Sequence, residues 1–329
     1  MTSIQRHLIR LLARLVLGAG LLLAQGFASA QSFPSHPLKI VVGYSAGGAV
    51  DIVARSVAQA LAAGLGQPVL IDNKPGAGTN IAVKSVIDAT ADGYTLLMAA
   101  NALAANMALY QPAPFDAEKD LVPVALIGRV PVVIAANPNA PYSSISKLIA
   151  AAKAQPGSIA FATPGNGSTP HMAVELFARA AGISLQHVPY KGGAQAITDV
   201  IGGQLPLLAV NALEVLPHAK SGKLKVLAVL SPSRSPIFPD TPTIAESGFA
   251  GFEASVWYGL LAPAATPKAV VMRLHDEVEK ALKTKEVSER MTSVGGEVTL
   301  GGPEQFAALI HSDRVRYQKL VNEAHIKPD

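Results

Sequence analysis

The chain has 329 residues, half of them apolar, with 27 basic and 23 acidic side chains and no cysteine, so neither a disulfide framework nor a thiolate metal centre is available. Three of the 27 basic residues and none of the 23 acids fall in the first thirty positions, which leaves the rest of the chain a net charge of +1. A nucleic-acid partner needs a clustered basic face, and this balance excludes one.

Residues 1–30 read as a secretory signal. Arg6, Arg10 and Arg14 make a basic start, residues 15–24 an apolar stretch, and Ala28-Ser29-Ala30 the small residues accepted at a cleavage site. The apolar run is shorter than the ~20 residues a bilayer span needs. The mature chain is therefore expected to begin near Gln31, outside the cytoplasm. Its length exceeds the usual size of one hydrophobic core and favours two domains.

Short apolar runs then alternate with helical patterns, the signature of βαβ units and a largely parallel sheet. Residues 38–44 predict a strand, and from Asp51 the apolar Val53, Val57, Leu61 and Leu65 recur as on one helix face. Residues 69–72 predict the next strand, followed by the turn-rich Lys74-Pro75-Gly76-Ala77-Gly78 and a helix from Thr79-Asn80 with Ile81, Val83, Val86 and Ile87 inward. Residues 95–99 predict a third strand. A second α/β unit follows, with strands at 159–162, 186–188, 207–210 and 225–230 and helices at 144–154, 171–181 and 194–201. Residues 122–136 are apolar and β-branched without alternation, as suits a buried strand passing between domains, and a return crossing is expected at 256–262. Helices at 267–282 and 303–325 should pack back on the first domain.

Three strand-to-helix junctions are rich in glycine and small hydroxyls: Tyr44-Ser45-Ala46-Gly47-Gly48, Gly76-Ala77-Gly78-Thr79-Asn80 and Thr163-Pro164-Gly165-Asn166-Gly167-Ser168-Thr169. Each puts bare backbone N–H groups at a helix start, where unpaired donors and the helix dipole attract an anion. In open α/β sheets, ligands lie at the carboxyl ends of the strands, where these junctions are. Carboxylate binding is the reading for the three together; a single such loop would be an ordinary turn whose glycines relieve backbone strain. Gly43-Tyr44-Ser45-Ala46-Gly47 also fits the nucleophile elbow of serine hydrolases, but it stands on the first strand, with no strand before it to supply the oxyanion loop and no recognisable partner motif. No Gly-Lys-Ser or Gly-Lys-Thr makes a phosphate loop, and His171 and His187 lack metal-ligand spacing. Asp51 either complements the dipole of the first helix or meets the ligand, and His171 either caps its helix or donates to the ligand. Trp257, the only tryptophan, is read as core at the return crossing.

With these motifs in order, the chain closely resembles the Bug-type, TctC-like binding proteins of tripartite tricarboxylate transporters. The resemblance covers nearly the whole mature sequence. It is carried by Pro37-Leu38-Lys39-Ile40-Val41-Val42 with Ala46-Gly47-Gly48 and Asp51, Asn73-Lys74-Pro75-Gly76-Ala77-Gly78 with Asn80, and Ala91-Asp92-Gly93-Tyr94-Thr95-Leu96. Further matches are Gly165-Asn166-Gly167-Ser168 with His171, His187-Val188-Pro189-Tyr190-Lys191-Gly192-Gly193, Pro239-Asp240-Thr241-Pro242-Thr243 with Glu246, and Trp257 with Gly259-Leu260.

The resemblance implies a type II periplasmic-binding-protein fold of two α/β domains joined by two crossing segments, residues 31–134 plus 257–329 and residues 135–256. It implies a periplasmic, non-enzymatic protein without cofactor or metal that captures a small carboxylate and presents it to integral-membrane transporter subunits, or to a sensor kinase. Tyr44, Ser45, Ala46, Gly47, Gly48 and Asp51 of the first loop, with Gly78, Thr79 and Asn80 of the second, would hold one end of the ligand. Thr163, Asn166, Ser168, His171 and Asn211 would approach from the other domain. Three positions depart from the family pattern: Leu205-Pro206 follows Gly203-Gln204 where an acid is usual, beside a strand end that could face the cleft, Ala265 replaces a glycine, and Tyr317 stands where tryptophan is common.

Overall fold

The computed structural model describes residues 33–293, 296–324 and 326–327; the expected signal segment lies outside these residues. No helix among the described residues is long and apolar enough to cross a membrane.

The chain opens on β1 (Leu38–Val42), whose register sets the first sheet: it pairs in parallel with β2 (Val69–Asn73) on one side and β3 (Thr95–Ala99) on the other. Helix α1 (Ala49–Leu65) joins the first two strands and sinks Val53, Val57 and Leu61 into the core, each burial worth roughly 1.5–3 kcal/mol. A short 3₁₀ turn (Ala77–Thr79) leads into α2 (Asn80–Ile87). Val83 and Val86 of α2 are buried as expected, but Ile81 is 51% exposed. The helix starts at Asn80, so the inward face is Asn80, Val83 and Val86, and Ile81 folds sideways over Gly76.

Next come α3 (Ala102–Leu109), the single turn α4 (Ala117–Asp120) and β4 (Leu121–Ala136), the predicted crossing strand. The first part of β4, as far as Pro131, pairs antiparallel with β9 (Ser255–Pro263); from Val132 onward its partners are β7 (Leu207–Asn211) and β8 (Lys225–Val229). The second sheet is completed by β5 (Ala160–Thr163), parallel to β7, and β6 (Gln186–Pro189), parallel to β5. Helices α5 (Ile145–Ala154), α6 (Thr169–Ala181), α7 (Gly193–Ile201) and α8 (Ala212–Lys220) cover it. β9 then slots between β3 and β4, antiparallel to both.

The chain closes with α9 (Lys268–Leu282), α10 (Lys285–Ser293), β10 (Glu297–Gly301), which pairs with β4, and α11 (Pro303–Ala324). The two sheets have separate cores: one gathers Val41, Leu97, Leu103, Trp257, Leu261 and Phe306, the other Val133, Ala162, Ile197, Leu208, Val210 and Phe238. Trp257 is core, as read from the sequence, and its Nε1–H donates to Asp313 of α11 at 2.7 Å. Tyr317, of the same helix, is buried beside it, whereas Ala265 is exposed. Leu205 packs on the second core at the amino end of β7, and the Pro206 carbonyl accepts from the Asn137 N–H at 3.0 Å. That departure therefore lies away from the carboxyl ends of the strands, where the cleft forms.

Candidate ligand-binding site

The carboxyl ends of β1, β3, β5 and β7 bring the glycine loops of both lobes to one seam. A small inner cavity of about 20 Å3 lies there, walled by Tyr44, Gly48, Ala49 and Val50 on one side and by Pro164, Ser168, Thr169, Gly193, Asn211 and Glu214 on the other. Tyr44 and Pro164 also border a wider outer cleft lined by Gly78, Thr79, Asn166, Tyr190 and Lys191.

On the first lobe, α1 begins without a side-chain cap: Gly48 at the cap position has an extended backbone and no hydroxyl or carboxylate to answer the first N–H groups. Those groups sit in the wall of the inner cavity. Among the described residues, no lysine or arginine lines it. Asp51 is turned to a different task. Its Oδ2 accepts from the Gly47 N–H and the Arg55 Nε–H, each at 2.9 Å, and its Oδ1 from Asn73 Nδ2 at 3.0 Å. Burial raises its pKa, but Arg55, the Gly47 N–H and Asn73 more than offset that, and the carboxyl is held below its usual value. Asp51 thus fixes the loop from behind. Ala46 and Gly47 are exposed and border neither cavity.

The Ser45 hydroxyl donates to the Lys191 carbonyl of the opposite lobe at 3.0 Å. In the second loop, Gly78 has φ 60°, and a Cβ there would lie 2.9 Å from the Tyr110 hydroxyl and 3.2 Å from the Asn166 carbonyl, so only glycine fits. Asn106 of α3 ties this loop down, donating to the Gly78 carbonyl at 2.6 Å and to Asn80 Oδ1 at 2.7 Å. Asn80 is therefore engaged behind the loop. Gly78 and Thr79 face the outer cleft.

On the second lobe, Ser168 caps α6, its hydroxyl accepting from the His171 N–H at 3.4 Å. His171 turns inward: its Nδ1 accepts from the Gly167 N–H at 3.1 Å, and its ring stacks on His187 at 3.7 Å between centroids. Burial, aided by His187, holds His171 well below its usual pKa, and burial lowers His187 to about 4, so both rings stay neutral. Of the two readings of His171, the geometry favours the cap. Thr163 lies 2.6 Å from His187 Nε2, also behind the cavity. Asn166 borders the outer cleft and donates to the Lys327 carbonyl at 3.2 Å.

The site residues named from the sequence thus divide: Tyr44, Gly48, Ser168 and Asn211 meet in the inner cavity, Gly78, Thr79 and Asn166 in the outer cleft, and Asp51, Asn80, Thr163 and His171 support the loops. Two residues were not anticipated. Asn106 gave no signal, because α3 is buried all round and shows no helical period.

Glu214 is the other, in the first turn of α8. Its Oε1 accepts from Asn211 Nδ2 at 2.9 Å, while its Oε2 is sealed from solvent without a hydrogen bond. Burial pushes its pKa up to about 7; the Asn211 side chain and the backbone N–H groups of Ala49 and Asn211 face the carboxyl and draw the value down, but none closes a hydrogen bond on Oε2. The carboxyl lies so close over Gly193 that a Cβ there would collide with it.

Residues 53–326 match the model of the tripartite tricarboxylate transporter family receptor. The chain is 37% identical to protein BugT of Bordetella pertussis over 301 residues, 91% of this chain and 92% of that protein. Among solved structures, an R. palustris protein with adipate is 31% identical, with TM-score 0.86, covering 90% of this chain and all of that one. MatC of Rhodopseudomonas palustris, with bound malate, is 31% identical, with TM-score 0.83, over 88% of this chain and all of that one.

Proposed function

We propose that this chain, which belongs to the tripartite tricarboxylate transporter receptor family of periplasmic solute-binding proteins, captures a small carboxylate between its lobes and presents it to membrane-embedded transporter subunits. The observation that carries the reading is the start of α1, whose backbone donors have no side-chain cap and stand in the wall of a cavity lined, among the described residues, by no basic side chain, with the Glu214 carboxyl of the other lobe facing the Ala49 N–H. A carboxylate is the group such a wall recognises. The ligands named for two relatives, adipate and malate, are both carboxylates and support the same reading.

The lobes of the proposal are residues 31–134 with 257–329, and residues 135–256, with residues 1–30 removed on export. Closure is a hinge motion about the two crossing segments, which lie side by side where Pro131 pairs with Ser255. Only the closed form is offered to the transporter. Ser45 belongs to the closure contacts through its bond to Lys191, and no hydrolysis is assigned to it.

The test is a thermal-shift screen of the mature protein with small mono- and dicarboxylates. Ligand at a hundredfold above Kd stabilises by ~2.7 kcal/mol, a readily measured shift. Gly48→Val should fold, since the backbone at Gly48 is unstrained and the nearest atom to a new Cβ is the Ser45 carbonyl at 3.5 Å. Its side chain fills the space before the α1 donors, and binding should weaken by about a hundredfold or more. A screen without any shift, or a Gly48→Val protein that binds as the wild type does, removes the reading.

A further inference from the structure

Two acceptor oxygens of the inner cavity close no hydrogen bond, although the Ala49 and Asn211 backbone N–H groups face the Glu214 carboxyl. Glu214 Oε2 and Asn211 Oδ1 are both shut off from solvent and both without a hydrogen-bond partner, and the two side chains are joined through Asn211 Nδ2 and Glu214 Oε1. Asn211 is 5% exposed. A buried acceptor left unmet is costly, and a buried carboxylate without a cation more so. Among the described residues, no basic side chain lies in the cavity wall. The ionisable groups coupled to Glu214 are the Tyr44 and Tyr258 phenols, both pushed upward by burial and therefore neutral.

We infer that Glu214 and Asn211 form a cation-reading subsite, so that the solute carries a protonated amine as well as the carboxylate held at the start of α1. This rests on the carboxylate reading above and narrows it. An ammonium brings the donors that both oxygens lack and the charge that the Glu214 carboxylate lacks. A second carboxylate in the same place meets an acid of its own sign. Gly193 makes the arrangement possible, since any side chain there would displace the Glu214 carboxyl from the cavity wall.

The two kinds of ligand also differ in their protons. Glu214 in the free protein titrates near pH 7, so an ammonium binding beside it drives the proton off, and affinity rises as pH goes from 6 to 8. A dicarboxylate binding there takes a proton up, and its affinity falls over the same range.

The experiment is calorimetric titration of the mature protein with butyrate, 2-aminobutyrate, 4-aminobutyrate and succinate, at pH 6 and pH 8 and in two buffers of different ionisation enthalpy. At pH 8 one of the aminobutyrates should bind at least about tenfold tighter than both butyrate and succinate, with proton release. Glu214→Gln should lose about that tenfold for the aminobutyrate and should not weaken butyrate, whose carboxylate at the start of α1 no longer meets a like charge. Should the variant fail to fold, the proton count of the wild type alone decides the sign.

Succinate as the tightest ligand, with proton uptake, overturns the subsite and makes Glu214 a neutral donor. An unchanged ranking in Glu214→Gln overturns it as well. If none of the four binds to either protein, the carboxylate reading falls first and the subsite with it.

Discussion

Asp51 and Glu214 are both acids in the first turn of a helix, one on each lobe, and their carboxyl groups have opposite fates. Asp51 receives a backbone N–H, a guanidinium and an amide, and its pKa drops; Glu214 receives the Asn211 amide on one oxygen and faces the Ala49 and Asn211 backbone N–H groups, and its pKa still climbs to about 7. Burial pushes both the same way; what separates them is that Asp51 meets a guanidinium and has hydrogen bonds on both oxygens, whereas Glu214 meets no cation and keeps Oε2 unbonded. The lesson concerns reading sites. An acid whose hydrogen bonds are complete holds the fold, and one whose hydrogen bonds are left open to a cavity is available to a ligand.

The comparison can be broken most strongly at Glu214. Because its folded pKa lies above the ordinary 4.5, the folded state holds more protons than the unfolded chain between those values. That contribution to stability is complete below pH 4.5 and lost as pH rises through 7. Glu214→Gln should therefore stabilise the unliganded protein at pH 8, by at most on the order of 3 kcal/mol, and leave it unchanged at pH 4. Urea denaturation at the two pH values measures this, and equal stability of variant and wild type at pH 8 would show that the fold bears no cost for the charge.

Asp51→Asn should act with the opposite sign. The Asp51 contribution is present above the usual carboxylate range and lost as pH falls through its lowered folded pKa. At pH 7 the substitution should cost about 2 kcal/mol, because an amide cannot accept from Gly47, Arg55 and Asn73 together. The difference should shrink in acid, where the wild-type carboxyl is itself protonated. A pH-independent loss would mean that side-chain shape, and not charge, holds the first loop.

The smallest effect is expected at Ser45, where Ser45→Ala removes one bond between the lobes and should weaken ligand affinity by about 1 kcal/mol, with no ester hydrolysis in either protein. Esterase activity that vanishes with the serine would overturn the assignment of this loop to binding.

The sequence displayed the three loops because glycine between a strand and a helix is a local signal. It also displayed most strands, the crossing at β4 and the return at β9. It hid α3, whose eight residues are buried all round and show no helical period, and α8, which carries Pro217 inside it. The division of labour within the loops was hidden for a different reason. Asp51 and Glu214 look alike in one dimension, each an acid where a helix dipole welcomes one, and only the arrival of Asn73 and Arg55 beside one of them tells them apart. His171 was open between two roles until its ring nitrogen met Gly167.

The placement of β9 has a consequence for how the chain must be assembled as it is made. β1, β2 and β3 emerge early, yet the open edge of β3 is covered only when residues 255–263 arrive, after every strand of the second sheet. The second sheet needs nothing made later than β8 beyond its share of β4, so it can close first. A nascent chain shorter than about 255 residues thus contains all three glycine loops and still cannot finish the lobe that begins it, with a bare parallel sheet edge open to wrong partners meanwhile. The returning strand closes that edge, and α9, α10, β10 and α11, made after it, then complete the lobe.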